Sequence, residues 1–176
     1  MHPTVSLELT RCILRPLQDS DAHSIARHAN SRKIWLNVRD RFPHPYRLDD
    51  AVDFIQKTGE SASETVFAVD VNGTAIGAVS LMLREDVDRV SAEIGYWLGE
   101  EFWGKGIATE AVKAVTAYGI KQFRLTRVFA YTFEWNVASA RVLEKAGFAL
   151  EGRLKRSAVK DGQIVDQFQY AYVVPG

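Results

Sequence analysis

The chain has 176 residues, 47% apolar and 25% charged, a length and balance that suit one domain (1–176) with its own core and exclude a disordered chain. Its 22 basic residues match its 22 acidic ones, which demotes nucleic acid as the main partner, and its one cysteine rules out an internal disulfide and a paired-cysteine metal site. No apolar run reaches the roughly 20 residues that cross a bilayer, and no charged segment followed by an apolar one opens the chain, so a cytoplasmic protein without membrane partners is expected.

Residues 11–16 read as a short strand entering a turn, and Asp19 or Ser20 caps a helix that runs to about residue 30. Residues 34–46 are irregular and aromatic, with Pro43 and Pro45 blocking a helix. Leu48, Asp49 and Asp50 open a second helix over residues 51–58. Residues 65–71 and 75–83 form a strand pair, joined by the hairpin signal Asn72-Gly73. Ser91–Leu98 is a further strand, with Ile94, Tyr96 and Leu98 on one face and Glu93, Gly95 and Trp97 on the other.

A Gly-rich turn over residues 99–106 leads into a helix, Ile107–Phe123, whose polar stripe is Thr109, Lys113 and Thr116. Arg127–Phe133 is a strand, residues 137–146 a helix, and Gly147 its terminator. Residues 149–154 and 166–174 close the chain as a strand pair. The order predicts an α/β (α+β mixed) sheet flanked by helices.

The turn Trp103-Gly104-Lys105-Gly106-Ile107-Ala108-Thr109 sits between a strand and a buried helix. Free amides and the positive end of a helix dipole hold phosphate well, and glycines let a ligand approach the backbone. Three phosphate motifs compete for it, beside a plain glycine turn. The dinucleotide fingerprint lacks its third glycine, because Thr109 stands there. The P-loop pattern runs from Gly99 to Lys105 but fails at Gly106, where Ser or Thr should hold magnesium. Residues 67–70 offer an apolar strand ending in Asp70, yet a hairpin turn follows at once, which leaves a nucleotide hydrolase as the weaker reading.

The third motif is carried by residues 92–111, AEIGYWLGEEFWGKGIATEA. This stretch resembles the acetyl-CoA loop of the GNAT N-acetyltransferases, whose pattern is Arg/Gln-x-x-Gly-x-Gly/Ala. Gly106 and Ala108 match it, and Trp103 replaces the Arg or Gln. A second block agrees: Asn136-Val-Ala-Ser139-Ala-Arg141-Val-Leu143-Glu-Lys145-Ala-Gly147-Phe148. Together with RCILRPLQDSDA at residues 11–22, these blocks are similar to the branch of ribosomal-protein N-terminal acetyltransferases, the RimJ/RimL-like group. The resemblance spans residues 7–174. It implies a GNAT fold, with a mostly antiparallel twisted sheet that splays at the cofactor site. It also implies acetyl-CoA as co-substrate and an amine acceptor, a protein N-terminus or a small molecule. A non-catalytic acyl-CoA binder is the further alternative.

Under the resemblance, residues 103–108 hold pyrophosphate, with Ile107, Ala108 and Thr109 at the helix start and Lys105 adding charge. Tyr96, Trp97 and Leu98 present a backbone edge to the pantetheine and a backbone N–H to the thioester oxygen. An amine with a pKa of about 10 arrives charged and needs a base. Glu93 is the candidate, expected among apolar groups that raise its pKa; the alternative is a sheet-surface carboxylate. Many relatives carry a tyrosine acid where this chain has Leu143. Ser139, near Asn136 at a helix start, is the candidate donor, against a plain N-cap for Asn136 and a solvated serine for Ser139.

Trp35, Phe42, Pro43, Pro45 and Tyr46 are candidates for the acceptor wall or for a cover over the sheet; Asp40 and Asp49 are candidates for drawing in a cationic amine, with Asp49 alternatively a helix cap. Cys12 reads as a buried inert thiol. His23, His28 and His44 lack metal-ligand spacing, so no metal is expected. Direct attack is preferred, because no activated nucleophile is visible. Both monomer and homodimer remain open.

Overall fold

The computed structural model describes residues 5–60 and 64–176. In chain order it runs β1 (Leu7–Glu8), β2 (Ile13–Pro16), α1 (Ala22–Ala29), α2 (Arg32–Trp35), α3 (Leu48–Glu60), β3 (Glu64–Val71), β4 (Thr74–Leu83) and β5 (Ser91–Leu98), then α4 (Ile107–Phe123), β6 (Arg127–Phe133), α5 (Val137–Lys145), β7 (Ala149–Lys160) and β8 (Gln163–Val173). The strands form one sheet in the order β1-β2-β3-β4-β5-β6-β8-β7. Every neighbouring pair is antiparallel except β5 and β6.

That parallel pair is short. It joins Ser91 to Arg127, Ala92 to Val128 and Glu93 to Phe129, and then stops. β4 follows β5 to its end, where Gly77 faces Leu98. β8 follows β6 to its end, where Gln167 faces Phe133. Each strand is therefore held on its far side while the two diverge, which leaves facing backbone edges free of sheet partners.

Alternation along β5 divides the core. Ile94 and Leu98 pack with Val79, Leu81, Val112, Val115, Val128 and Leu143 under α4 and α5. Trp97 packs on the opposite side with Ile25, Ala51, Ile55, Ala68 and Ala78 under α1 and α3. Helix α4 lies so near the sheet that a Cβ on Gly119 would sit 2.5 Å from Leu81 Cδ2. This approach corrects the expected polar stripe: Thr116 is 3% exposed, and the exposed line of α4 runs through Lys113, Ala117 and Lys121.

The start of α1 also departs from expectation. Neither Asp19 nor Ser20 caps it. Asp21 accepts the Gln18 N–H at 2.9 Å and both terminal nitrogens of Arg15 at 2.8 Å. Arg15 Nε donates to Asp70 at 2.7 Å. Asp21, with Asp70 behind it, pushes the guanidinium pKa further up against the opposing effect of burial. A half-buried arginine needs such partners, so the carboxylate that reaches both the entering chain and Arg15 takes the position. Asp70 is thereby a structural anchor, which removes the strand end a nucleotide hydrolase would need for magnesium.

Two strands exceed their predicted length. β7 and β8 form one long hairpin whose turn is Asp161-Gly162, with φ of 50° and 74°. Asn72 and Gly73, at 54° and 81°, close β3 and β4 in the same way, as the sequence predicts.

The tightest backbone approach lies where β5 leaves the sheet. A Cβ on Gly77 would stand 2.2 Å from Trp97 O and 2.9 Å from Leu98 Cα. Gly77→Ala therefore forces the end of β5 away from β4. Its expected cost is about 3 kcal/mol, the upper part of the overpacking range. Urea unfolding should show a lower midpoint with an unchanged slope.

Candidate active site

The turn after β5 is shaped for an anion. Residues 100–102 make one 3₁₀ turn, then Gly104 and Gly106 take φ of 73° and 79°. Gly106 is the residue that precedes α4, and no side chain caps the helix. The first helical bond runs from Glu110 N–H to Gly106 C=O at 3.1 Å. The amides of Ile107, Ala108 and Thr109 precede it, so they carry the helix's partial positive charge without an intrahelical acceptor.

Two contacts fix this turn. Trp103 Nε1 donates to Leu98 C=O at 2.8 Å, tying the loop to the last residue of β5. The Glu110 carboxylate accepts the N–H of Thr10 and of Arg11 at 3.0 and 2.9 Å. Arg11 is thereby laid against Gly106, where a Cβ would meet Arg11 Nε at 3.3 Å. Arg11 is a cation beside the turn that the sequence does not flag, since its partner lies 99 positions away.

A cleft of about 940 Å³ opens between the diverging strands, α4, α5 and the segment from residue 33 to residue 58. Glu93, Tyr96, Trp97, Leu98, Trp103, Gly104, Gly106, Ile107, Ala108, Thr109, Asn136 and Ser139 all line it. So do Phe42 and Tyr46, whose rings are tilted at 47° with centres 4.7 Å apart, and Trp97 meets Phe42 edge-on at 5.5 Å.

Two expected residues are not brought to the cleft. Lys105 Nζ lies 5.3 Å above the Phe102 ring, outside the lining. Trp35 is covered by Lys160, whose Nζ stands 4.0 Å from the ring centre, and by Arg32 at 5.3 Å. Nor do Asp40 and Asp49 stand in the lining, where Asp50 and Asp53 appear instead. Asp40 is taken by Lys160 at 2.7 Å, and Asp50, rather than Asp49, accepts the Arg47 N–H at the start of α3 at 2.7 Å.

Glu93 holds the last paired position of β5 before the divergence. It is buried as expected, but its surroundings differ from the apolar ones foreseen. Arg39, from the loop after α2, pairs with Oε1, and Arg84, just past β4, donates to Oε2 at 3.0 Å. Arg84 is in turn stacked on the Phe129 ring at 5.2 Å. These arginines come from segments with no motif, so only folding reveals them.

Across the cleft, Asn136 Oδ1 accepts the Ser139 N–H at 3.1 Å, so Asn136 is the N-cap of α5. Ser139 Oγ lies 2.7 Å from the Tyr96 hydroxyl, which also donates to Ser139 C=O at 3.2 Å. Burial pushes the Tyr96 phenol pKa up, against the smaller lowering by its bond to Ser139. Leu143 is fully buried in the core and does not line the cleft. The Tyr96 side chain is the group the sequence reading assigned only a backbone part.

A profile of the acetyltransferase (GNAT) domain matches residues 11–149. The chain belongs to the GNAT acetyltransferase family. It is 29% identical to the spermidine N(1)-acetyltransferase of Escherichia coli K12, covering 85% of this chain and 79% of that one. It is 27% identical to the ribosomal protein uS5-alanine N-acetyltransferase of Escherichia coli K12, covering 98% and 93%. The solved structure of Mycobacterium smegmatis RimJ in complex with CoA-disulfide superposes with a TM-score of 0.85 at 23% identity, over 98% of this chain and 90% of that one. The fold is the GNAT fold, and the chain is an N-acetyltransferase with acetyl-CoA as co-substrate.

The residues present fit that co-substrate. Uncapped amides at α4, Arg11 beside them, and Arg141 and Lys145 on the α5 side of the cleft suit phosphates. The unpaired edge of β5 beyond Glu93 suits a chain of amides. In this GNAT protein Gly106→Asp puts a side chain at a left-handed φ and a negative charge at the anion site. CoA should bind at least tenfold more weakly, about 1.4 kcal/mol, and lose its effect on the melting temperature. Calorimetric titration of a variant whose circular dichroism stays native checks this.

Proposed function

We propose that this GNAT enzyme acetylates a primary amine, at a protein N-terminus or on a small molecule, by direct attack within one cleft. The observation that carries the reading is the divergence of β5 from β6 beyond Glu93, opposite the open N-terminus of α4. Acetyl-CoA, when bound, supplies an activated acetyl group and a thiol leaving group. Its anion site lies on the α4 side, and the aromatic wall of Phe42, Tyr46 and Trp97 lies on the other, so donor and acceptor enter from opposite sides. Direct attack is supported by the state of Cys12. Burial first, then Glu110 and Asp70, push its thiol up to about 11, and it sits in the core.

In this reading Glu93 takes up the amine proton, directly or through a water. Ser139 gives a proton to the departing thiolate. The Tyr96 hydroxyl stays protonated at working pH because burial raises its pKa. Its one hydrogen goes either to Ser139 C=O or to Ser139 Oγ, and when it turns to Oγ the serine's own hydrogen is free for the cleft. Tyr96 is thus a positioning residue, and Leu143 supplies no donor. The two named relatives acetylate a polyamine and a protein alanine by their names, and both acceptor types fall within the reading. The test is a screen of amines with acetyl-CoA and free-thiol readout; binding of CoA with no transfer to any amine would overturn it.

Glu93→Gln should lower turnover by about 10²–10⁴-fold while CoA affinity changes little, since the shape remains and the base is gone. The deficit should shrink as pH rises, because more of the amine then arrives neutral. Wild-type turnover at pH 7 would remove the role.

Ser139→Ala should reduce kcat roughly tenfold, about 1.4 kcal/mol of barrier. Tyr96→Phe should cost less, and the double variant should cost no more than Ser139→Ala alone, because the tyrosine acts through the serine. Additive losses, measured as kcat over a pH series, would show that the two hydroxyls work separately.

A further inference from the structure

On the sheet face under α1 and α3, strands β3, β4 and β5 set their side chains in cross-strand rows. One row is Ala68, Ala78 and Trp97, the next Val66, Ser80 and Gly95, and the third Glu64, Met82 and Glu93. The middle row is low, because Gly95 has no side chain and Ser80 a short one. All three of its residues line the cleft, as do Trp97 on one side of it and Met82 and Glu93 on the other. Gly77 and Gly119 are crowded by neighbours, so packing accounts for them. Gly95 is not: among the described residues, its chain neighbours aside, a Cβ there would meet only Ser80 Oγ, at 3.4 Å. The row is thus a dent in the cleft floor, with Phe42 and Phe54 among its apolar surroundings. The charged side chains of this half are matched within the chain. Arg39 pairs with Glu93, Arg41 with Glu64 at 3.5 Å, Lys57 with Asp53 at 3.2 Å and Lys33 with Glu100 at 2.7 Å, while Asp50 accepts the Arg47 N–H.

We infer that the dent over Gly95 is the specificity pocket for the acceptor, and that it takes an apolar group borne a few bonds from the amine. The inference rests on the acetyltransferase reading above, with Glu93 taking the amine proton. Glu93 and Gly95 stand two positions apart on one strand face, roughly 6.5 Å. The side chain of a leucine or phenylalanine bridges that separation from its own amine. An amine at Glu93 therefore lays such a group on Gly95, between Trp97 and Met82, where it leaves water. The acceptor class is a primary amine beside an aliphatic or aromatic group, in a small molecule or at the first residue of a peptide. An amide or a second ammonium placed there exchanges its water for one hydroxyl, that of Ser80, and is disfavoured.

The full chain is assayed with acetyl-CoA by thiol release, using matched acceptors. Leucinamide is set against asparaginamide, the peptide amide Leu-Gly-Gly-Ser against Asn-Gly-Gly-Ser, and spermidine against all four. Leucine and asparagine side chains share a branched shape, so each pair differs mainly in polarity. In at least one pair the leucine member should show a kcat/KM about tenfold or more above its partner, the scale of burying one such side chain. The pair that shows it separates a small amine from a peptide. Spermidine should fall below that leucine acceptor. Gly95→Val fills the dent with a residue that suits a strand. It should cut the preference to threefold or less while CoA affinity and the melting temperature hold. Should Gly95→Val not fold, Ser80→Val decides, since it fills the same row from β4. Equal use of the asparagine partners, or a preference for spermidine, overturns the inference and leaves the acetyltransferase reading standing. A preference that survives the substitution overturns the assignment to the dent. Thiol release with none of these acceptors but with another amine overturns the inference alone, and release with no amine overturns both readings.

Discussion

The site depends on two strands that begin as partners and do not stay so. β5 and β6 share three residue pairs and then separate, because each is committed to another neighbour for its remaining length. Unpaired backbone edges are costly when buried, so such an opening persists in a protein only where a ligand or water satisfies it. The opening shares its cleft with the N-terminus of α4, whose amides need an external acceptor. Two unsatisfied backbone features facing one cleft define a ligand that is amide-like along its length and anionic at one end. Acetyl-CoA is such a molecule.

The charged groups behind the site obey a single rule with an instructive exception. Arg15 lies between Asp21 and Asp70, two carboxylates for one guanidinium, and that cluster locks β2 and α1 onto β3. Lys160, 1% exposed, has Asp40 and the face of Trp35. In both the cation is closed off from solvent, Arg15 at 15% side-chain exposure and Lys160 at 1%. The Glu93 cluster inverts the order, with the carboxylate buried and the cations half in solvent. A closed cluster serves stability. In the open one Arg39 lines the cleft, half in solvent beside Glu93.

How much of this was readable from the residues follows from sequence distance. Ser91–Leu98, Ile107–Phe123 and Arg127–Phe133 fall where alternation and helical spacing put them, because each signal is local to its element. Gly104 and Gly106 take left-handed backbone, the conformation for which glycine is used, so the glycine turn is legible at once. The partners of Glu93 are not: Arg39 and Arg84 lie 54 and 9 positions away, and arginine in a loop has no signature. Thr116 read as polar because the closeness of α4 to the sheet is set by Gly119 three residues on, against Leu81 on another element. The outer half of the last hairpin was missed for a different reason. Residues 155–165 are rich in charge, but their turn, Asp161-Gly162, carries the same local signal as Asn72-Gly73.

The two halves of the cleft are assembled differently, and this accounts for what each reveals. The half beside the glycine turn is one continuous run, β5 through α4, with α5 added, so a motif can record it. The half opposite is a stretch with little regular structure, residues 36–47, that other segments hold down. The tip of the β7–β8 hairpin reaches it through Lys160 to Asp40 and Arg32 to Asp161, over separations of 120 and 129 residues. Trp135 Nε1 adds a bond to Asn37 at 3.1 Å. Trp35 is used up in this docking, stacked beneath Lys160, which is why it is absent from the acceptor wall. The loop that carries Arg39 to Glu93 is therefore positioned by the far end of the chain. The cleft wall opposite α4 is thus held by contacts between positions far apart in the chain, while the glycine turn lies in one local run.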